Sequence, residues 1–168
     1  MALTALFTAV LCVAAPFSIM VGPIPISLAS LVIYIAAGSL GWKLSALSVV
    51  LYIILGAVGL PVFSYFEGGF HKIAGLTGGY IIGYIPCALV TGVAAGIFRW
   101  KLRRFVLGMV IGTALLYTCG MVWYMLQSGS SLLVSFALCV SPFLIGDVLK
   151  IIIASVITPK LRKSLSVV

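Results

Sequence analysis

The chain has 168 residues, 64% of them hydrophobic and 7% charged, with a formal net charge of +8. Soluble domains carry about a quarter charged residues, so this composition cannot build a polar surface and excludes a water-soluble globular protein. A helix that crosses a bilayer needs roughly 20 apolar residues, which leaves room for about six spans and no extramembrane domain. The apolar runs lack the alternation of β-barrel strands. The expected fold class is therefore an all-α integral membrane protein with six transmembrane helices, residues 1–168 forming one transmembrane domain.

In chain order the expected spans are 5–21, 26–40, 44–60, 79–98, 105–127 and 142–157. Residues 132–140 form an apolar approach to the last span, either a half-helix or the upper part of a kinked helix; Pro142 permits both. The first 42 residues hold no Lys or Arg. A secretory signal needs a basic start, so the first segment is expected to persist as a helix. Cys12, Cys87, Cys119 and Cys139 are scattered in apolar runs without metal-ligand spacing and read as small packing residues.

The connections fall into two groups. Gly41-Trp42-Lys43, Arg99-Trp100-Lys101-Leu102-Arg103-Arg104 and the tail Lys160-Leu161-Arg162-Lys163 are short and hold eight of the ten Lys and Arg residues. Residues 21–25, 61–77 and 128–131 contain one basic residue, Lys72. Six spans put the two groups on opposite sides, and the positive-inside rule places both termini and the basic loops in the cytoplasm. The positive charge is then a signal of topology and of anionic lipid headgroups, not of nucleic acid.

Against this background the only two acidic residues, Asp147 and Glu67, stand out. Asp147 and Lys150 lie three apart in the apolar run of the sixth span and share one helix face, which Phe143 and Ala154 extend. Ionisable residues inside a membrane are costly and mark functional sites by default. Two apolar residues would usually be at least as stable there, so a purely structural pair is the lesser reading. Asp147 would sit about 7 Å below the start of its helix at 1.5 Å per residue, with Lys150 one turn deeper, both open to an outer pocket.

Residues 68–80 form a Gly-rich loop running into the fourth span. Thr77 is a candidate N-cap, and the free N–H groups of Thr77, Gly78, Gly79 and Tyr80 suit a ligand carboxylate; a flexible hairpin with tight helix packing is the equal alternative. No Gly-Lys-Ser/Thr follows, so this is not a P-loop. Phe63, Ser64, Tyr80, Tyr84 and Trp123 cluster at the outer boundary, where an interfacial aromatic belt competes with a pocket wall. Glu67, His71 and Lys72 pair in a solvated loop. The inventory of one His and two acids cannot furnish a usual metal site, no nucleophilic triad is present, and catalysis is not expected. Ala5 and Ala9 form a small-xxx-small strip, repeated at Gly79/Gly83, Gly92/Gly96 and Gly108/Gly112. Most such strips are internal helix contacts.

Three segments together resemble a known family: Gly59-Leu60-Pro61-Val62-Phe63-Ser64, Gly75-Leu76-Thr77-Gly78-Gly79-Tyr80, and Pro142-Phe143-Leu144-Ile145-Gly146-Asp147-Val148-Leu149-Lys150. They are similar to the BioY family, the biotin-binding S component of bacterial energy-coupling factor (ECF) transporters. The resemblance covers essentially the whole chain. It implies a six-helix S-component fold in the bacterial inner membrane, a single substrate-binding domain that captures biotin from outside, and no enzymatic activity or cofactor. It implies that Asp147 and Lys150 contact the biotin head and that the loops after the first and third spans close over it. It also implies that Ala5 and Ala9 dock on a transmembrane coupling subunit driven by two cytoplasmic ATPases. The chain departs from the family in carrying Leu76 where Pro precedes Thr-Gly-Gly-Tyr. It also has no Asn to supply the family's amide contact, for which Ser64 or Tyr65 is the expected substitute. An S component for another vitamin, a solitary permease, and a structural membrane protein are the alternatives.

Overall fold

The computed structural model describes residues 1–21, 24–96 and 101–165. The elements run α1 (Ala2–Ala14), β1 (Ser18–Val21), β2 (Ile24–Ser27), α2 (Ala29–Leu40), α3 (Trp42–Ala57), α4 (Phe70–Ala74), α5 (Gly78–Gly96), α6 (Leu102–Ser128), α7 (Leu132–Cys139) and α8 (Phe143–Leu165). The last residues of the expected 79–98 span, together with Arg99 and Trp100 of the expected basic loop, lie outside the described residues.

The all-α expectation needs correction between residues 15 and 27. The first expected span does not continue to residue 21: α1 stops at Ala14, two residues before Pro16, and the chain turns into an antiparallel hairpin with Ser18 opposite Ser27 and Val21 opposite Ile24. Proline lacks the N–H that a helix interior requires. Pro25, opposite Met20 in the hairpin, is tolerated because a two-stranded ribbon leaves each strand one unpaired edge. Among the described residues only α5 and α6 are individually long and apolar enough to cross a membrane. The pair α7 and α8, bent by 45° at their break, makes a third such span, while α1, α2 and α3 are shorter apolar helices of 13, 12 and 16 residues. Within residues 132–140 the helix α7 ends at Cys139 and meets α8 at that bend.

Glycine determines which helices meet. A Cβ on Gly79 would lie 2.3 Å from Trp123 Cβ and 2.6 Å from the Cys119 carbonyl; one on Gly108 would lie 2.3 Å from Ala94 Cβ. These residues let α5 and α6 approach closely enough for backbone-level packing. Gly92 faces the α2–α3 turn in the same way, 2.5 Å from Trp42 Cα, and Gly38 on α2 accommodates Thr158 and Phe105. Gly96 has nothing within 4 Å. On the other flank α1 packs on α3 through hydroxyls: Thr8 donates to the Ser48 carbonyl at 3.3 Å, and Ser48 donates to the Thr4 carbonyl at 3.1 Å. Ala5 and Ala9 face away from this seam and are exposed.

The two groups of connections gather at opposite ends. Arg162 donates to the Gly38 carbonyl at 3.1 Å, tying the basic tail to the end of α2 beside the α2–α3 turn. At the other end the Tyr65 N–H donates to the Pro16 carbonyl, and the Gly69 N–H donates to the Gly56 carbonyl at 2.7 Å. There Trp123 Nε1 and Gln127 Nε2 donate to the Gly75 and Ala74 carbonyls, both at 2.9 Å. Hairpin, α4 and the breaks before α5 and α8 therefore surround one mouth.

The glycine contrast is testable. Gly79→Ala is expected to destabilise the protein by about 1–3 kcal/mol through overpacking against α6. Gly96→Ala is expected to be neutral or to gain up to ~1 kcal/mol from helix propensity. Thermal unfolding of the two variants in detergent checks the difference.

Candidate ligand site

The mouth opens into a cavity of about 630 Å³, counted with its open end, and Asp147 and Lys150 stand at its foot. Both are buried, at 4% and 7% exposure, on a face of α8 that also buries Phe143 and Ala154. Lys150 Nζ donates to Asp147 Oδ1 at 2.8 Å, to the Ser27 carbonyl at 2.7 Å and to Ser30 Oγ at 3.0 Å. An ammonium has three protons, so all of them are committed within the protein. Ser30 Oγ approaches the same Asp147 oxygen at 3.4 Å, and the Tyr117 hydroxyl donates to Oδ2 at 2.6 Å.

Local structure prepares this arrangement. Ser27 ends the hairpin; its hydroxyl donates to the Ala15 carbonyl at 2.9 Å and accepts from the Ala29 N–H at 3.0 Å. The hydroxyl thereby satisfies one of the free N–H groups at the start of α2, and the adjacent carbonyl is held facing Lys150. Ser30 follows within the first turn of α2. The break before α8 brings Phe143 over the cavity, where its ring stacks on Tyr80 with centroids 5.8 Å apart and 22° between planes. The Tyr80 hydroxyl donates to the Cys139 carbonyl at the end of α7, a group left without an intrahelical partner. Phe63 packs edge-on against Tyr52 at 5.6 Å.

Of the residues singled out from sequence, Asp147, Lys150, Thr77, Tyr80, Phe63, Ser64 and Tyr84 line this one cavity. Gly78, Gly79 and Trp123 are not among its lining residues. Gly78 and Gly79 are buried where a Cβ would strike the Ile73 carbonyl or Trp123, and Trp123 braces the loop from behind. Thr77 precedes α5 but does not cap it with its side chain; its hydroxyl donates back to the Lys72 carbonyl at 3.3 Å. The N–H groups of Gly78 and Tyr80 already donate to the Gly75 and Thr77 carbonyls. Lys72 lines the cavity near its mouth and pairs with Glu67 at 2.6 Å, while His71 is exposed. Sequence reasoning missed Ser27, Ser30, Tyr52 and Tyr117. Their signal was a hydroxyl within an apolar stretch, which inside a membrane turns toward the protein interior.

The family model for the BioY family matches residues 1–167. The chain belongs to the BioY family. It is 36% identical over 160 residues to the probable biotin transporter BioY of Pyrococcus horikoshii, covering 95% of this chain and 94% of that one. It is equally 36% identical over 164 residues to the biotin transporter BioY of Thermotoga maritima, covering 94% and 92%. Among solved structures it matches the crystal structure of the S-component for biotin from an ECF-type ABC transporter. The TM-score is 0.85 at 28% identity, across 95% of this chain and 88% of that one. This membrane-transporter membership agrees with the apolar helices.

Removing one member of a buried ion pair strands the other. Asp147→Leu and Lys150→Met are each expected to lower the stability of the ligand-free protein by about 3–5 kcal/mol. The double variant is expected to recover most of that loss. Unfolding midpoints of the four proteins test this; a double variant as unstable as the sum of the singles would contradict it.

Proposed function

We propose that this chain is a biotin-binding S component of an ECF-type transporter, a single domain of six spans with both termini in the cytoplasm. It would sit in the inner membrane with the cavity mouth facing outward. The observation that carries the reading is the buried Asp147 carboxylate at the foot of an aromatic-walled cavity in a chain of the BioY family. A cyclic urea offers N–H donors, and Asp147 is the acceptor that receives them. Lys150 balances the charge of Asp147. Its protons are already engaged, so its part is to hold the carboxylate in place. Phe63, Tyr80 and Tyr84 wall the bicyclic ring, and Ser64 stands in for an amide contact. The valerate carboxylate reaches the mouth, where Lys72 exchanges Glu67 for it and Thr77 flanks it. Gly78 and Gly79 contribute by shaping this loop.

The chain works with partners in this reading. Ala5 and Ala9, exposed on α1, present a smooth strip to a transmembrane coupling subunit that two cytoplasmic ATPases drive, with membrane lipid covering the remaining apolar faces. The basic end lies on the cytoplasmic side, as the positive-inside rule requires.

Equilibrium binding of radiolabelled biotin to the purified protein is the test. Wild type is expected to bind saturably, unaffected by excess thiamine or riboflavin. Asp147→Ala and Lys150→Ala are expected to bind roughly 100-fold more weakly, the first because the acceptor for the ligand N–H groups is gone and the second because that acceptor is no longer held in place. Equal affinity in all three proteins would remove the pair from the site. Ala9→Trp is expected to leave biotin binding intact and to abolish co-purification with the coupling subunit.

A further inference from the structure

The Asp147 carboxylate is held asymmetrically. Oδ1 receives both Lys150 and Ser30, whereas among the described residues Oδ2 receives Tyr117 alone. Each carboxylate oxygen can accept about two hydrogen bonds. Oδ1 is therefore filled and the remaining acceptor capacity lies on Oδ2, next to the Tyr117 hydroxyl. The terminal torsion of an Asp side chain is soft, so bonds to one oxygen alone leave the carboxylate plane free to turn.

Tyr117 supplies the second point of fixation from a different helix. Its ring is buried and lies 6.4 Å from Phe143, which stacks on Tyr80. Between α6 and α8 a groove lined by Val110, Thr113, Ala114, Leu144 and Val148 reaches Asp147 and Tyr117 from outside the bundle. The Tyr117 hydroxyl bridges the two helices across the inner edge of this groove. The other hydroxyl in that lining, Thr113, is engaged with Tyr34 and the Met109 carbonyl, and among the described residues no further hydrogen bond reaches the carboxylate from that side.

We propose that Tyr117 is a positioning residue of the ligand site: it turns the Asp147 carboxylate so that the free lone pair of Oδ2 faces the cavity and meets a ligand N–H. This rests on the biotin reading above. Tyr117→Phe keeps the ring and its packing and removes one hydroxyl, which isolates the effect.

Two measurements test it. In ligand-free protein, the carboxylate stretching bands are compared by infrared difference spectroscopy between wild type and Tyr117→Phe. Asp147→Asn provides the assignment, helped by a chain with only two acidic side chains. A shift of the Asp147 bands is expected. Binding is then measured for biotin and for a biotin analogue methylated on a ureido nitrogen. Tyr117→Phe is expected to weaken biotin roughly 10- to 100-fold, as loss of a hydrogen bond to a charged group does, and to narrow the preference for biotin over the methylated analogue. In an Asp147→Asn background the same substitution should have little further effect on binding. Unshifted bands would overturn the proposal. So would unchanged affinity, or a parallel loss for both ligands, which would mark Tyr117 as a packing residue. Wild-type protein that binds no biotin would overturn the functional reading and this proposal together, whereas wild-type binding with an indifferent Tyr117→Phe overturns this proposal alone.

Discussion

An ammonium and a carboxylate 2.8 Å apart, both almost without contact with solvent, need every remaining proton and lone pair accounted for. The protein meets that requirement from three directions for all but the lone pair of Asp147 Oδ2 that Tyr117 leaves open. The hairpin gives the Ser27 carbonyl, α2 gives Ser30, and α6 gives Tyr117. Only α8 carries the charges; the other elements are arranged so that the charges can be buried. The interruption of the first apolar run follows from the same need. A continuous helix through residues 15–27 would direct its carbonyls along its own axis, and the Ser27 carbonyl would then be spent within the helix.

The cavity exists because helices stop short around one end. α7 breaks before α8, α5 begins late behind a loop, and α2 starts after a hairpin. Each stop leaves backbone groups to be satisfied, and the satisfying groups are also wall residues: the Tyr80 hydroxyl reaches the end of α7, and the Ser27 hydroxyl accepts the Ala29 N–H at the start of α2. The turn at residues 64–66 shows the local cost. Tyr65 and Phe66 both have positive φ, at 65° and 58°, a region costly for non-glycine residues. The bond from the Tyr65 N–H to the Pro16 carbonyl helps hold this turn against the end of the hairpin arm.

Much of this was legible in the sequence, for physical reasons that differ by residue. Asp147 and Lys150 were visible because charge in an apolar run has few explanations, and i, i+3 spacing fixes a shared face. Phe63, Tyr80 and Tyr84 were visible as aromatics beside Gly and Pro breaks. The hairpin was not, because β1 and β2 are as apolar as the helices beside them, and a short apolar run does not declare its period. Ser27, Ser30 and Tyr117 were hidden because a hydroxyl in a span is common, and only the fold brings these three to one ion pair from distances of up to 123 residues. Trp123 lies differently. Its place at the outer boundary suggested a wall, yet Gly79 draws its ring onto the back of α5, where the indole N–H holds the loop.

The two sides of the site differ in mechanical character. α5 and α6 are joined by Gly79, Gly83, Gly108 and Gly112, with helix backbones so close that a methyl group would have to displace a neighbour at several points. Such a seam resists sliding. Across the site α6 and α8 are separated by an apolar groove, and the Tyr117 to Asp147 hydrogen bond spans it. A ligand that engages Asp147 therefore acts on the side of the bundle held less by packing than by a hydrogen bond. The far end of the same helix α8 is tied to α2 by Arg162, which donates to the Gly38 carbonyl.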